Sequence, residues 1–114
     1  MSKILLIDDD TDMLAMTARW LEKAGHEVTK AASGKEALSI LTAFRPDLIL
    51  LDYAMPEMNG SEVLARIRDN EEIKNIPVLL RTGMDDTDIG SGADRIVPKA
   101  DGKPGLLKAI GEIL

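Results

Sequence analysis

The sequence predicts an α/β fold in which a five-stranded parallel sheet is covered by helices on both faces. Two observations lead to this fold class. Short runs that are apolar throughout, such as residues 4–7 and 48–51, are typical of strands buried on both faces. Longer segments with apolar residues at helical spacing alternate with these runs. Because the crossover between parallel strands is right-handed, this alternation indicates a three-layer sandwich.

Five strands can be placed along the chain. They are predicted at residues 4–7, around Val28, and at residues 48–51, 78–80 and 95–97. A doubly wound sheet of five strands is expected in the order 2-1-3-4-5, the flavodoxin-like arrangement. In that order the crevice that binds ligands lies between strands one and three, at their carboxyl ends.

The helices between these strands have recognisable starts and apolar stripes. Ser33 with Glu36, and Asn59 with Glu62, have the spacing of a capping box at a helix start. Pro104 suits the first turn of a last helix. The apolar stripes are, in chain order, Leu14, Ala18 and Leu21; Ala37, Leu38, Leu41 and Phe44; Val63, Leu64 and Ile67; and Leu106, Leu107, Ile110 and Ile113.

The fourth crossover is the weak part of the pattern. Residues 83–91 are all that separates strand four from the turn before strand five. They include Gly83, Gly90 and a polar run at residues 85–88, which disfavour a regular helix. We therefore expect a shortened or irregular fourth helix.

Length and composition narrow the possible functions. The 114 residues suit a single domain, which we place at residues 1–114. The chain has no cysteine and therefore no disulfide or thiolate metal site. Its net charge of −6 argues against binding nucleic acid through phosphates. The apolar run near the N-terminus is too short for a signal peptide or membrane span, so we expect a cytoplasmic domain without a membrane partner.

Polar side chains converge on the predicted crevice. Asp8 and Asp9 follow strand one, Asp52 ends strand three, and Thr82 and Lys99 lie after strands four and five. Three neighbouring carboxylates stay ionised together only if a cation joins them, and Mg²⁺ suits an oxygen-rich site that also handles phosphate. One carboxylate can then attack phosphorus, while the metal, a lysine and a hydroxyl stabilise charge on the phosphoryl oxygens.

A specific set of residues carries a resemblance to a known family. The set is Asp8-Asp9, Asp52, Met55-Pro56-Glu57-Met58-Asn59-Gly60, Thr82, Gly92-Ala93-Asp94 and Lys99. With this set, which spans nearly the whole chain, the sequence resembles the receiver domain of two-component signalling.

The resemblance implies a role for each matching position. Asp52 is expected to be the phosphoacceptor. Mg²⁺ is expected to be bound by Asp9 directly, by Asp8 mainly through water, by Asp52, and by the backbone carbonyl of Ala54. The hydroxyl of Thr82 is expected to turn toward the phosphoryl group. Lys99 is expected to pair with the phosphoryl oxygens or, before phosphorylation, with Asp52.

The resemblance also implies partners. The phosphodonor is expected to be a histidine kinase or a histidine phosphotransfer protein, and the output a changed affinity for an effector protein or domain. The chain is expected to be a monomer or weak dimer and to catalyse its own phosphorylation and dephosphorylation without being an enzyme for an outside substrate. A phosphorylation-independent interaction module of the same fold is the alternative.

Several positions depart from the family pattern or admit another interpretation. Ala100 stands where the family has a proline joined by a cis bond, so we expect a trans bond there. Ile96 replaces the usual switching aromatic residue, and the interval after Thr82 is about five residues short. Lys103 also precedes a proline, but Lys99 fits the family spacing better. Asp10 is more typical of a helix cap than of a metal ligand.

Overall fold

The central strands of the sheet are buried along almost their whole length, as their apolar sequences predict. In a computed structural model that describes residues 2–53, 55, 58–83 and 92–114, every residue of β3 (Leu48–Asp52) and β4 (Val78–Thr82) is buried. β1 (Lys3–Ile7) is buried except at its first residue. The more exposed edge strands are β2 (Glu27–Ala31) and β5 (Arg95–Pro98).

The five strands are all parallel and follow the order β2-β1-β3-β4-β5. The predicted fold class and strand order are therefore confirmed. β1 lies between β2 and β3, with Ile7 opposite Leu51. The order of the strands in the sheet therefore reverses direction at β1. The crevice between β1 and β3 opens at the residues that follow Ile7 and Leu51.

Helices cover both faces of the sheet. They are α1 (Thr11–Lys23), α2 (Gly34–Ile40), α3 (Gly60–Arg68) and α4 (Gly102–Ile113), with a 3₁₀ turn at Lys99–Asp101. One apolar cluster joins the sheet to α2 and α3, and a second joins it to α1 and α4. Residues 84–91 lie outside the described residues, so the shortened fourth helix stays a prediction. No helix in the described part of the chain is long and apolar enough to cross a bilayer.

Side-chain caps start the first three helices. Ser33 accepts a hydrogen bond from the backbone N–H of Glu36, and Asn59 accepts one from that of Glu62, as the spacing predicts. Asp10 accepts two, from the N–H groups of Asp12 and Met13. Each bond satisfies an N–H group that the first helical turn leaves unpaired.

Arg68 fixes the chain just before β5. Its guanidinium donates to the backbone carbonyls of Lys74, Ile76 and Gly92 and forms a 2.7 Å ion pair with Asp94. The Asp94 carboxylate also accepts a hydrogen bond from the N–H of Val78 at the start of β4. This network holds the start of β5 against the start of β4. It thereby helps to fix the position of Lys99, which directly follows β5.

Gly60 is required by a close approach of two backbones. A Cβ atom at this position would lie 2.7 Å from Cα of Tyr53 and 3.1 Å from the carbonyl oxygen of Asp52. We expect Gly60→Ala to lower the free energy of unfolding by about 1–3 kcal/mol, since the backbone has to shift. Urea denaturation followed by circular dichroism measures this change.

Gly111 is the matched control for this substitution. It lies in α4, and a Cβ there would meet no atom within 4 Å. Gly111→Ala should raise the free energy of unfolding by up to about 1 kcal/mol, because alanine is the better helix former. Equal losses of stability in the two variants would contradict the steric argument at Gly60.

Candidate functional site

Three carboxylates meet at the carboxyl ends of β1 and β3. Asp8, Asp9 and Asp52 each offer an oxygen atom, and these atoms all lie within 4.8 Å of one another. Asp8 directly follows β1 and Asp52 ends β3, so the pairing of these two strands brings the acids together. Asp8 is 3% exposed and Asp52 4% exposed, whereas Asp9 is half-buried. Carboxylates that are buried this close together repel one another, and a bound cation would relieve that repulsion.

Asp10 does not belong to this group of three. Its carboxylate caps α1, and its own backbone N–H donates to Oδ1 of Asp8 at 3.0 Å. The capping interpretation therefore applies to Asp10, while Asp8 and Asp9 face Asp52.

Lys99 places a positive charge beside the carboxylate of Asp52. Its Nζ atom lies 2.7 Å from Oδ1 of Asp52, and its side chain is 30% exposed. Lys99 stands directly after β5, at the start of the 3₁₀ turn. Lys103 lies one turn later, exposed on α4, so the structure brings Lys99 and not Lys103 to the acidic cluster.

Thr82 ends β4 on the same edge of the sheet. It is 2% exposed and lies opposite Pro98, the residue before Lys99. Its neighbouring strand carries Asp52, which is in register with Arg81. Ala54, the remaining expected ligand, lies outside the described residues.

Comparisons with known proteins agree with this arrangement. Residues 4–111 match the response regulator receiver domain family. The chain belongs to that family. Over its whole length it is 35% identical to protein PilH of Pseudomonas aeruginosa, covering 98% of PilH. It is also 40% identical to the transcriptional regulatory protein AfsQ1 of Streptomyces coelicolor, over 87% of this chain but only 45% of AfsQ1.

Solved structures of receiver proteins have the same fold. The chemotaxis response regulator CheY4 of Vibrio cholerae superposes with a TM-score of 0.93 at 33% identity, covering 100% of this chain and 99% of CheY4. The response regulator TrrA of Thermotoga maritima, solved in complex with Mg²⁺-BeF, gives a TM-score of 0.90 at 27% identity, with 100% of both chains covered.

The receiver domain is shorter than one of its relatives. Its alignment with PilH runs over 120 residues, six more than the 114 residues of this chain, so the alignment opens gaps here. Among the described residues no peptide bond is cis, so the Lys99–Ala100 bond is trans as expected. Ile96 is half-buried and packs against the cluster on the α2 and α3 side.

Arg81 is a charged residue that the sequence analysis left without a role. It lies in β4, is 4% exposed, and its Nη1 donates a 3.3 Å hydrogen bond to the hydroxyl of the fully buried Thr17. Burial lowers the pKa of Arg81, while the nearby charges of Asp8 and Asp52 act to raise it. The available signal was an arginine directly after the apolar run of a predicted buried strand.

Burial also changes the acidity of Asp8. The pKa of Asp8 is raised from 3.8 to about 6, mainly because the carboxyl is buried, and the hydrogen bond from the N–H of Asp10 opposes this rise. The negative charges of Asp52 and Asp9 contribute to the raised pKa, while the positive charge of Lys99 acts to lower it. The metal-free pocket therefore holds a proton on Asp8 more readily than a solvated carboxyl does.

This shift predicts a pH dependence of stability without divalent ions. Between about pH 4 and pH 6 the folded receiver domain retains a proton on Asp8 that the unfolded chain has released. The free energy of unfolding is therefore expected to decrease as pH rises through this window, by on the order of 2 kcal/mol from this group. Chemical denaturation in EDTA, compared with Asp8→Asn, isolates the effect. Parallel pH profiles for the two proteins would contradict it.

Proposed function

We propose that this receiver domain is a signalling switch in which Asp52 accepts a phosphoryl group. Family membership supports phosphorylation-dependent signalling in general. The observation that carries the assignment to Asp52 is its position, because its carboxylate lies beside Asp8 and Asp9 with the ammonium group of Lys99 at 2.7 Å. A nucleophilic carboxylate flanked by acids and a lysine fits phosphoryl transfer.

Mg²⁺ is the metal that fits this pocket. The three carboxylates are hard oxygen donors grouped within 4.8 Å, and TrrA, of the same family, was solved with Mg²⁺-BeF. Asp8, Asp9 and Asp52 would hold the ion, together with the Ala54 carbonyl that the resemblance implies. When bound, the ion supplies charge neutralisation for the carboxylates and the incoming phosphoryl oxygens.

The protein's own residues account for the transfer. An oxygen of Asp52 attacks the phosphorus of a phosphohistidine, the P–O bond forms as the P–N bond breaks, and the imidazole leaves with the bonding electrons and takes up a proton. Lys99 then exchanges its contact with the Asp52 carboxylate for one with a phosphoryl oxygen. The Thr82 hydroxyl donates to another. Hydrolysis of the acyl phosphate by water returns the switch to its starting state.

The partners follow from this chemistry. The donor is a histidine kinase or histidine phosphotransfer protein, and the recipient of the signal is an effector protein or domain. The alignments cover 98% of PilH but only 45% of AfsQ1 and 18% of a probable cyclic di-GMP phosphodiesterase of Vibrio cholerae, so the latter two relatives are much longer than this chain. A cytoplasmic location, a monomeric or weakly dimeric state and the absence of direct nucleic-acid binding remain predictions.

Asp52→Asn tests the phosphoacceptor. Incubation with acetyl phosphate and Mg²⁺ should add one phosphoryl group to the wild type, seen by intact-protein mass spectrometry, and none to the variant, because an amide is a poor nucleophile. EDTA should abolish labelling of the wild type. Labelling that persists in Asp52→Asn would place the phosphoryl group elsewhere. No labelling of either protein would favour a phosphorylation-independent interaction module.

Lys99→Ala and Lys103→Ala form a matched pair. Loss of Lys99 should slow phosphorylation roughly tenfold or more, because an ammonium group that stabilises the phosphoryl oxygens is gone. Lys103→Ala, which removes the same charge from an exposed position on α4, should leave the rate within about twofold of the wild type. Stopped-flow phosphorylation by acetyl phosphate or phosphoramidate measures both, and equal rates in the two variants would argue against a role for Lys99.

A further inference from the structure

Arg81 is a buried cation without a close ionic partner. It is 4% exposed, and its Nε atom has no hydrogen-bond partner among the described residues. The guanidinium donates to the hydroxyl of Thr17, and no carboxylate in the described part of the chain comes within ion-pair distance of it. Burying a charge without a partner is costly, so its compensation has to come from charges that act over a longer distance.

The sheet places this cation next to the acidic cluster. Arg81 in β4 is directly in register with Asp52 in β3, and its carbonyl accepts a hydrogen bond from the N–H of Tyr53. Side chains alternate between the faces of a strand. Asp52 is two residues after Leu50 and Arg81 two after Leu79, so both share the face that packs against α1 and α4.

Electrostatic coupling is consistent with this placement. The charges of both Asp8 and Asp52 act on Arg81, and both acids are more than nine-tenths buried. Charges in a dry pocket interact several-fold more strongly than on the surface. The guanidinium therefore lowers the energy of the ionised carboxylates even without direct contact.

The net charge of the pocket depends on Arg81. With all three carboxylates ionised the cluster carries −3, and Lys99 and Arg81 each contribute +1, which leaves −1. With an apolar side chain at position 81 the same pocket would carry −2. A divalent cation is attracted less strongly to a pocket of charge −1 than to a pocket of charge −2.

We propose that Arg81 is a built-in cation that shares with Mg²⁺ the neutralisation of the Asp8–Asp9–Asp52 cluster. It lowers the affinity of the pocket for Mg²⁺ and keeps the metal-free domain folded. This electrostatic role rests on the Mg²⁺ site of the proposed function, and it concerns the affinity of that site for the ion.

A purely structural role is the competing explanation. In that case Arg81 would matter through its hydrogen bond to Thr17, which ties β4 to α1. Thr17→Val removes the hydroxyl with little change in shape and leaves the guanidinium in place. It therefore separates the hydrogen bond from the charge.

The test measures Mg²⁺ affinity by isothermal titration calorimetry, with Mn²⁺ binding by electron paramagnetic resonance as a second readout. Arg81→Met should bind Mg²⁺ at least about tenfold more tightly than the wild type. Arg81→Lys and Thr17→Val, which retain the charge, should stay within about threefold. In EDTA, Arg81→Met should unfold at lower urea than the wild type, and saturating Mg²⁺ should restore its midpoint.

The outcomes separate this inference from the function on which it rests. Wild-type affinity in Arg81→Met, or an equal shift in Thr17→Val, would overturn the role of Arg81 as a cation. If Arg81→Met does not fold without metal, Arg81→Gln is titrated instead, and failure of both variants to fold in saturating Mg²⁺ also overturns it. A wild type that binds no Mg²⁺ and accepts no phosphoryl group would instead refute the proposed function.

Discussion

Repulsion among three carboxylates is the constraint on which this structure depends. Asp8, Asp9 and Asp52 are held within 4.8 Å of one another by two strands that cannot separate without exposing the core. The apolar residues of β1 and β3 pack on both faces, so the backbone fixes the acids in a position that they would avoid in solution. Burial of Asp8 adds to the cost and raises its pKa to about 6. Because this repulsion is relieved by positive charge, the site favours the binding of a cation.

The cations that balance these acids come from the second half of the chain. Lys99 follows β5, and its position depends on the Arg68–Asp94 network that anchors the start of that strand. Arg81 lies in β4, in register with Asp52. The acidic residues of the site therefore lie at the ends of β1 and β3, whereas the basic residues lie in β4 and directly after β5. A change in the register of β4 or β5 would alter the electrostatics without touching an acid.

The same second half contains Ala100 and Ile96, two positions at which the sequence differs from the pattern that the resemblance implies. The Lys99–Ala100 bond is trans, and the aliphatic Ile96 packs against the apolar cluster on the α2 and α3 side of the sheet. The movement of the Thr82 hydroxyl that the resemblance implies could not be coupled to an aromatic ring at position 96, because this residue is Ile96. Transmission of the signal through residues 83–91 or through another face stays a prediction, because residues 84–91 lie outside the described residues.

The sequence by itself determined the elements, their order and most of the residues around Asp52. Unbroken apolar runs identify the buried strands, and capping residues such as Ser33 and Asn59 identify helix starts, because these signals are local. The tertiary structure decided that Gly60 has no room for a side chain, and that Arg81 is buried in register with Asp52 on the same face of the sheet. Those properties depend on strand register and on burial between layers, and both arise from contacts between residues far apart in the chain.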